Sequence, residues 1–152
     1  MKISADTPPE GTVSDWLNAR ADKGGVAFTF PETGETLTWP ELRDHAAKTA
    51  GDLTAQGIAK GESVAVVHPN GLSGVKALYS ALYGGFRVTM INLAAGPDAI
   101  TYALEHSEAR VAFVHDDQLA MFDEAKPVGL SLYAPSGATA PLHDIAPQDD
   151  AL

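Results

Sequence analysis

Cysteine is absent from the 152 residues, which excludes disulfides, thiolate metal sites and a cysteine nucleophile. Long apolar runs are absent too, and none approaches the roughly 18 residues that a membrane-spanning helix needs. Positive charge is scarce. Ten Lys and Arg against 20 Asp and Glu give a formal net charge of -10. That balance disfavours nucleic acid and anionic membranes as partners, because no basic cluster overrides it. The opening Met1 to Gly11 is polar, with Pro8 and Pro9, and does not have the apolar centre of a secretory signal. The expected compartment is therefore the cytoplasm.

What is present suits a folded domain. Hydrophobic residues make up 45% of the chain, enough for a core in one domain of this length. Residues 1–11 read as a flexible arm. Residues 12–134 read as a single α/β domain. Residues 135–152, rich in Ala, Pro, Ser and Asp without a period, read as a linker-like segment.

Within the domain, TVSDWLNARADK sets Val13, Trp16, Leu17 and Arg20 at helical spacing, with Thr12 or Ser14 as cap. Two β-rich runs, Val26 to Phe30 and Thr36 to Trp39, flank a Pro-Glu-Thr-Gly turn and predict a hairpin. A helix follows, with Thr38 ahead of it, Pro40 at its first position and Gly57 at its end. Leu42, Ala46, Thr49, Ala50 and Leu53 form its buried face.

A unit then recurs about every 24 residues. SVAVVH, RVTMIN and RVAFVH are apolar runs ending in a polar residue. Each precedes a helix, at Ser73 to Tyr83, Pro97 to Ser107 and Asp117 to Lys126, and GLSLYAP closes the series. Strands apolar on both sides predict a mainly parallel sheet with helices on both faces, preceded by the short helix and hairpin. Right-handed crossovers place all the strand carboxyl ends on one edge.

The break after the first of these strands, His68-Pro69-Asn70-Gly71-Leu72-Ser73-Gly74, invites a nucleotide-binding reading. It lacks the first glycine of G-x-G-x-x-G, and Pro69 has no amide hydrogen for a phosphate. A Walker loop is missing as well. The break reads as an Asn-Gly turn with Ser73 as helix cap. His68, Asn92 and His115 each fall just past a strand end, so the sheet brings them to the edge where open α/β sheets bind ligands. Two histidines are too few for a metal unless Asp116 or Asp117 joins them, and no metal is expected. Leu78, Tyr79, Leu82 and Tyr83 read as core packing, with the tyrosine hydroxyls reaching the surface. No G-x-S-x-G elbow and no H-E-x-x-H is present.

The order of these pieces resembles the N-terminal part of AMP-forming acyl-CoA synthetases, in the adenylate-forming superfamily. The likeness is carried by Thr38, Trp39, Glu41 and Leu42 at a helix start, then Gly57, Ile58, Gly61, Glu62, Val64 and Ala65. Pro69 and Asn70 follow, then Gly84, Gly85, Val88, Ile91 and Asn92, and last Ile100, Tyr102, Leu104, Ser107, Ala109 and Val114. Glu62 stands where the family usually has aspartate, and Phe86 and Arg87 stand in place of small residues. Pro147, Asp149 and Ala151 resemble the segment just ahead of the family's phosphate loop.

The resemblance implies a whole enzyme of fatty acid metabolism that joins a small carboxylic acid to CoA, using ATP and Mg²⁺, through an acyl-AMP intermediate. It implies that the phosphate loop and the catalytic lysine lie beyond Leu152. These 152 residues would then bind no cofactor themselves and be inactive alone. It places His68, Asn92 and His115 near the pocket edge and assigns no catalytic residue. Two other readings stay open: an adenylation fragment that loads a carrier protein, and a freestanding, non-enzymatic interaction module. Apolar surface left by a missing half would make the fragment self-associate.

Overall fold

A computed structural model describes residues 10–133. The arm expected over 1–11 falls outside them but for Glu10 and Gly11, as does the linker-like stretch 135–152.

Helix α1, Val13–Lys23, starts at Thr12, whose hydroxyl accepts the Asp15 amide while the Asp15 carboxylate accepts the Thr12 amide. Of the two caps expected, Thr12 fills the role. The hairpin strands are β1, Val26–Phe30, and β2, Glu35–Thr38, so the second begins one residue earlier than its β-rich run. Helix α2, Trp39–Ala55, opens on a second reciprocal cap, Thr38 with Glu41. Trp39 takes its first position, which moves Pro40 to the second. Gly57, with φ of 89°, turns the chain out of the helix. The predicted face of α2 is buried throughout: Leu42, Ala46, Ala50 and Leu53 are fully covered and Thr49 nearly so.

The repeating units form β3 (Ser63–Val67), α3 (Leu72–Tyr83), β4 (Arg87–Met90), α4 (Pro97–His106), β5 (Val111–Val114), α5 (Leu119–Ala125) and β6 (Ser131–Leu132). A short 3-10 turn, Asp116–Gln118, replaces the first turn expected of α5. Among the described residues of the run GLSLYAP, Ser131 and Leu132 form β6.

The sheet has the order β4-β3-β5-β6, and every pairing in it is parallel. Side chains alternate across it. Val64, Val66, Val111 and Phe113 face α2 and α3; Ala65, Val67 and Ala112 face α4 and α5, with Ile100, Leu104 and Phe122. Helices therefore cover both faces, and β3 is buried in every residue. The hairpin is a separate two-stranded sheet, joined to the helical layer through rings such as Phe28 on Tyr79, 5.9 Å apart.

Two departures from the family pattern gain partners here. Glu62 accepts the Ala59 amide at 2.6 Å and pairs with Arg110 at 3.1 Å. Phe86 is buried, and Arg87 donates to the Gly61 carbonyl and pairs with Glu108 at 2.9 Å. Tyr83 is buried as expected, but its hydroxyl donates to Asn18 on α1 instead of reaching solvent. Among the described residues, no helix is long and apolar enough to cross a membrane.

Candidate functional site

The strand order creates a divergence. From β3 the chain leaves for β4 on one side; from β5 it leaves for β6 on the other. The carboxyl ends of β3 and β5 therefore flank the point from which loops turn apart, where open α/β sheets leave a crevice. His68 follows β3 and His115 follows β5. Their rings meet edge to face, with centroids 5.6 Å apart and planes at 82°.

Each expected edge residue also has a local task. His68 Nδ1 lies 3.1 Å from the Ser73 hydroxyl. His115 Nδ1 accepts the Asp117 amide at 3.2 Å and so caps the 3-10 turn. Asn92 Oδ1 accepts the Ala94 amide at 3.0 Å. His68 and Asn92 line a shallow cavity of about 400 Å³ with Pro69, Asn70, Met90 and Leu93. The fold thus pairs His68 with His115 and sets Asn92 along the rim beyond β4. Burial holds the His68 pKa below its ordinary value; the nearby His115 lowers it further, and Asp116 opposes the shift.

The glycine break is a turn, but Ser73 is not its cap. Helix α3 starts one residue earlier, at Leu72, after Gly71 with φ of 151° and no side-chain cap. Ser73 is therefore already inside the first turn, and its hydroxyl reaches back to His68. The second glycine has a packing reason. A Cβ on Gly74 would lie 2.8 Å from the Pro69 carbonyl oxygen. The close approach that Gly74 permits is to its own chain.

A second cavity, of about 320 Å³, opens on the helical side of the same edge. Helix α2 supplies His45, Lys48, Thr49 and Asp52, and α3 supplies Ser73, Lys76 and Ala77. His68, Phe113 and Tyr133 complete it. The Tyr133 hydroxyl donates to the buried Asp52 carboxylate at 2.7 Å, and its ring leans on Phe113. Burial, then the Asp52 carboxylate that accepts its proton, pushes the Tyr133 pKa well above its ordinary value. His45 is pushed below its own value, first by desolvation and then by the Lys76 and Lys48 charges.

Sequence reasoning named only Thr49, His68 and Ser73 from this group, Thr49 as helix core and Ser73 as a cap. The signal was partial: 45, 48, 49 and 52 share one face of α2, as 73, 76 and 77 do on α3. Nothing local points to Tyr133, 81 positions from its partner. Among the described residues, no group of three His, Asp or Glu side chains stands ready to hold a metal ion.

Against known proteins, residues 16–150 match the family model described as AMP-binding enzyme. A sulfoacetate–CoA ligase of Cupriavidus necator is 33% identical over 112 residues, 73% of this chain and 22% of the ligase. A long-chain-fatty-acid–AMP ligase of Mycobacterium marinum is 35% identical over 86 residues, 57% of this chain and 13% of the relative. The chain thus spans about a fifth or less of these relatives. Among solved structures, a fatty acyl CoA synthetase of Mycobacterium tuberculosis superposes with a TM-score of 0.70 at 24% identity, over 80% of this chain and 26% of that one.

Proposed function

Because this chain belongs to the AMP-binding enzyme family, we propose that it forms the N-terminal part of an AMP-forming acid–CoA ligase. The observation that carries the reading is the family match over residues 16–150, which runs along the same ordered motifs from Thr38 to Val114. The relatives' names support it, since a sulfoacetate–CoA ligase aligns over 73% of this chain.

In this reading the described residues build scaffold. ATP, Mg²⁺ and CoA serve the whole enzyme, and the residues present do not by themselves fit a nucleotide–metal site. The β3–α3 turn contains Pro69, which has no amide to donate, and Gly74, whose open side is filled by the Pro69 carbonyl. No trio of metal-ligating side chains stands beside it among the described residues. The part these residues play is to hold the sheet edge. His68, Asn92 and His115 then lie at the rim of the pocket that the rest of the enzyme completes. The 152 residues alone are inactive and bind none of these cofactors.

A second reading concerns the thiol acceptor. The Mycobacterium marinum relative is named for ligation to AMP, without CoA. A chain of that kind would pass its acyl group to a carrier protein.

The test is acid-dependent exchange of pyrophosphate into ATP, on the polypeptide that carries this sequence in its native reading frame. Exchange with one or more small carboxylic acids is expected there, and none with residues 1–152 alone. Release of AMP on adding CoA, or on adding a phosphopantetheine-bearing carrier protein, separates the two acceptors. Failure of every acid with the native polypeptide would overturn the ligase reading. Exchange by the 152 residues alone would overturn the scaffold assignment.

A further inference from the structure

The cavity between α2 and α3 runs against the charge of the chain as a whole. The sequence carries a formal net charge of -10, yet Lys48 and Lys76, from two facing helices, line this one space. Neither lysine has an ion-pair partner among the described residues. Among the described residues, one carboxylate lines the space, Asp52. It is buried in the wall and already accepts the Tyr133 hydroxyl. His45 feels both ammonium groups, which push it toward its neutral form beyond the effect of burial.

Two cations facing one cleft raise the local positive potential and favour an anion between them. Their ammonium groups would donate charge-assisted hydrogen bonds to it. Ser73 adds a polar hydroxyl, 3.1 Å from His68 Nδ1, while Ala77 and the buried Phe113 give the cavity an apolar side. A volume of about 320 Å³ suits a small molecule. We propose that this cavity binds a small organic anion, with its carboxylate or phosphate head between Lys48 and Lys76 and its apolar body against Ala77 and Phe113. The proposal rests on the cavity alone and holds whichever reaction the whole protein performs.

The experiment titrates the 152-residue chain with benzoate, phenyl phosphate and benzyl alcohol, followed by calorimetry and by amide chemical shifts. At least one of the two anions is expected to saturate at millimolar concentration, and the neutral alcohol to bind at least about tenfold more weakly. Lys48→Gln and Lys76→Gln are each expected to weaken the anion about fivefold or more, and added salt to weaken it further. The order of affinity between benzoate and phenyl phosphate tells a carboxylate ligand from a phosphate one. No saturation by either anion up to about 20 mM would overturn the proposal. So would affinity unchanged within twofold in the Lys48→Gln, Lys76→Gln double variant, with circular dichroism confirming that the variant is folded.

Discussion

The imidazoles of His68 and His115 touch edge to face, 5.6 Å between centroids, across the gap where the chain leaves β3 and β5 in opposite directions. A charge on one is felt by the other, and the His68 pKa is lowered by burial first and by His115 next. Replacing His115 with Gln should raise the His68 pKa, because a like charge is lost. It should stay below 6.5, because burial is the larger cause. Asp116→Asn should lower it. Histidine side-chain NMR titrations read both shifts.

Stability should follow the same histidines. His45 and His68 both have folded pKa values below 6.5, so the unfolded chain takes up their protons first. Their contribution is full above about pH 6.5 and is lost as pH falls through the folded values. Asp15, Glu41 and Glu62 are lowered mainly by backbone hydrogen bonds, and their contribution is lost in a separate window below the ordinary carboxylate values. Urea midpoints measured from pH 8 to pH 2 should therefore fall in two stages, the second beginning below about pH 4.5. His45→Gln with His68→Gln should flatten only the upper one.

Tyr133→Phe removes one hydrogen bond from a buried carboxylate. A loss of about 1.5–3 kcal/mol is expected, as for hydrogen bonds to charged groups. Urea unfolding at pH 7 measures it. In the unmodified chain, absorbance near 295 nm should show Tyr133 ionising only well above the ordinary tyrosine range.

Thr38→Ala opens the reciprocal cap that starts α2. The expected cost is about 1 kcal/mol. Glu41→Gln should cost less, since an amide oxygen still reaches the Thr38 amide. Chemical denaturation of the two variants ranks them.

Gly74→Ala forces a methyl against the Pro69 carbonyl, 2.8 Å from where the Cβ would stand. Backbone must move, at about 1–3 kcal/mol. Gly71→Ala should also destabilise, for a different reason: that residue has φ of 151° with open space around it. Crystal structures of the two variants would show a displaced loop in the first and a changed backbone angle in the second.

Much of this fold was legible because its causes are local. Thr12 and Thr38 announce helix starts, and the face of α2 from Leu42 to Leu53 follows from spacing alone. The strand runs could be read because β3 and β5 are apolar on both sides. Ser73 misled because a serine near a helix start usually caps it; here the helix begins at Leu72, and the hydroxyl pairs with His68 instead. The edge position of His68, Asn92 and His115 follows from parallel topology. The cavity of His45, Lys48, Lys76 and Tyr133 does not, because it depends on how two helices meet over one strand pair. The bond from Tyr133 to Asp52 crosses 81 positions, beyond the reach of any periodic pattern.

Strand β3 is buried along its whole length and bonded on both sides, whereas the β1–β2 hairpin is a sheet of its own. Deuterium should therefore enter the molecule on two timetables. Amides of the hairpin exchange through small local openings. Those of residues 63–67 wait for the entire sheet to come apart. A single peptide over β3, followed by mass spectrometry in native buffer, would then serve as a stopwatch for global unfolding, without denaturant and without a label.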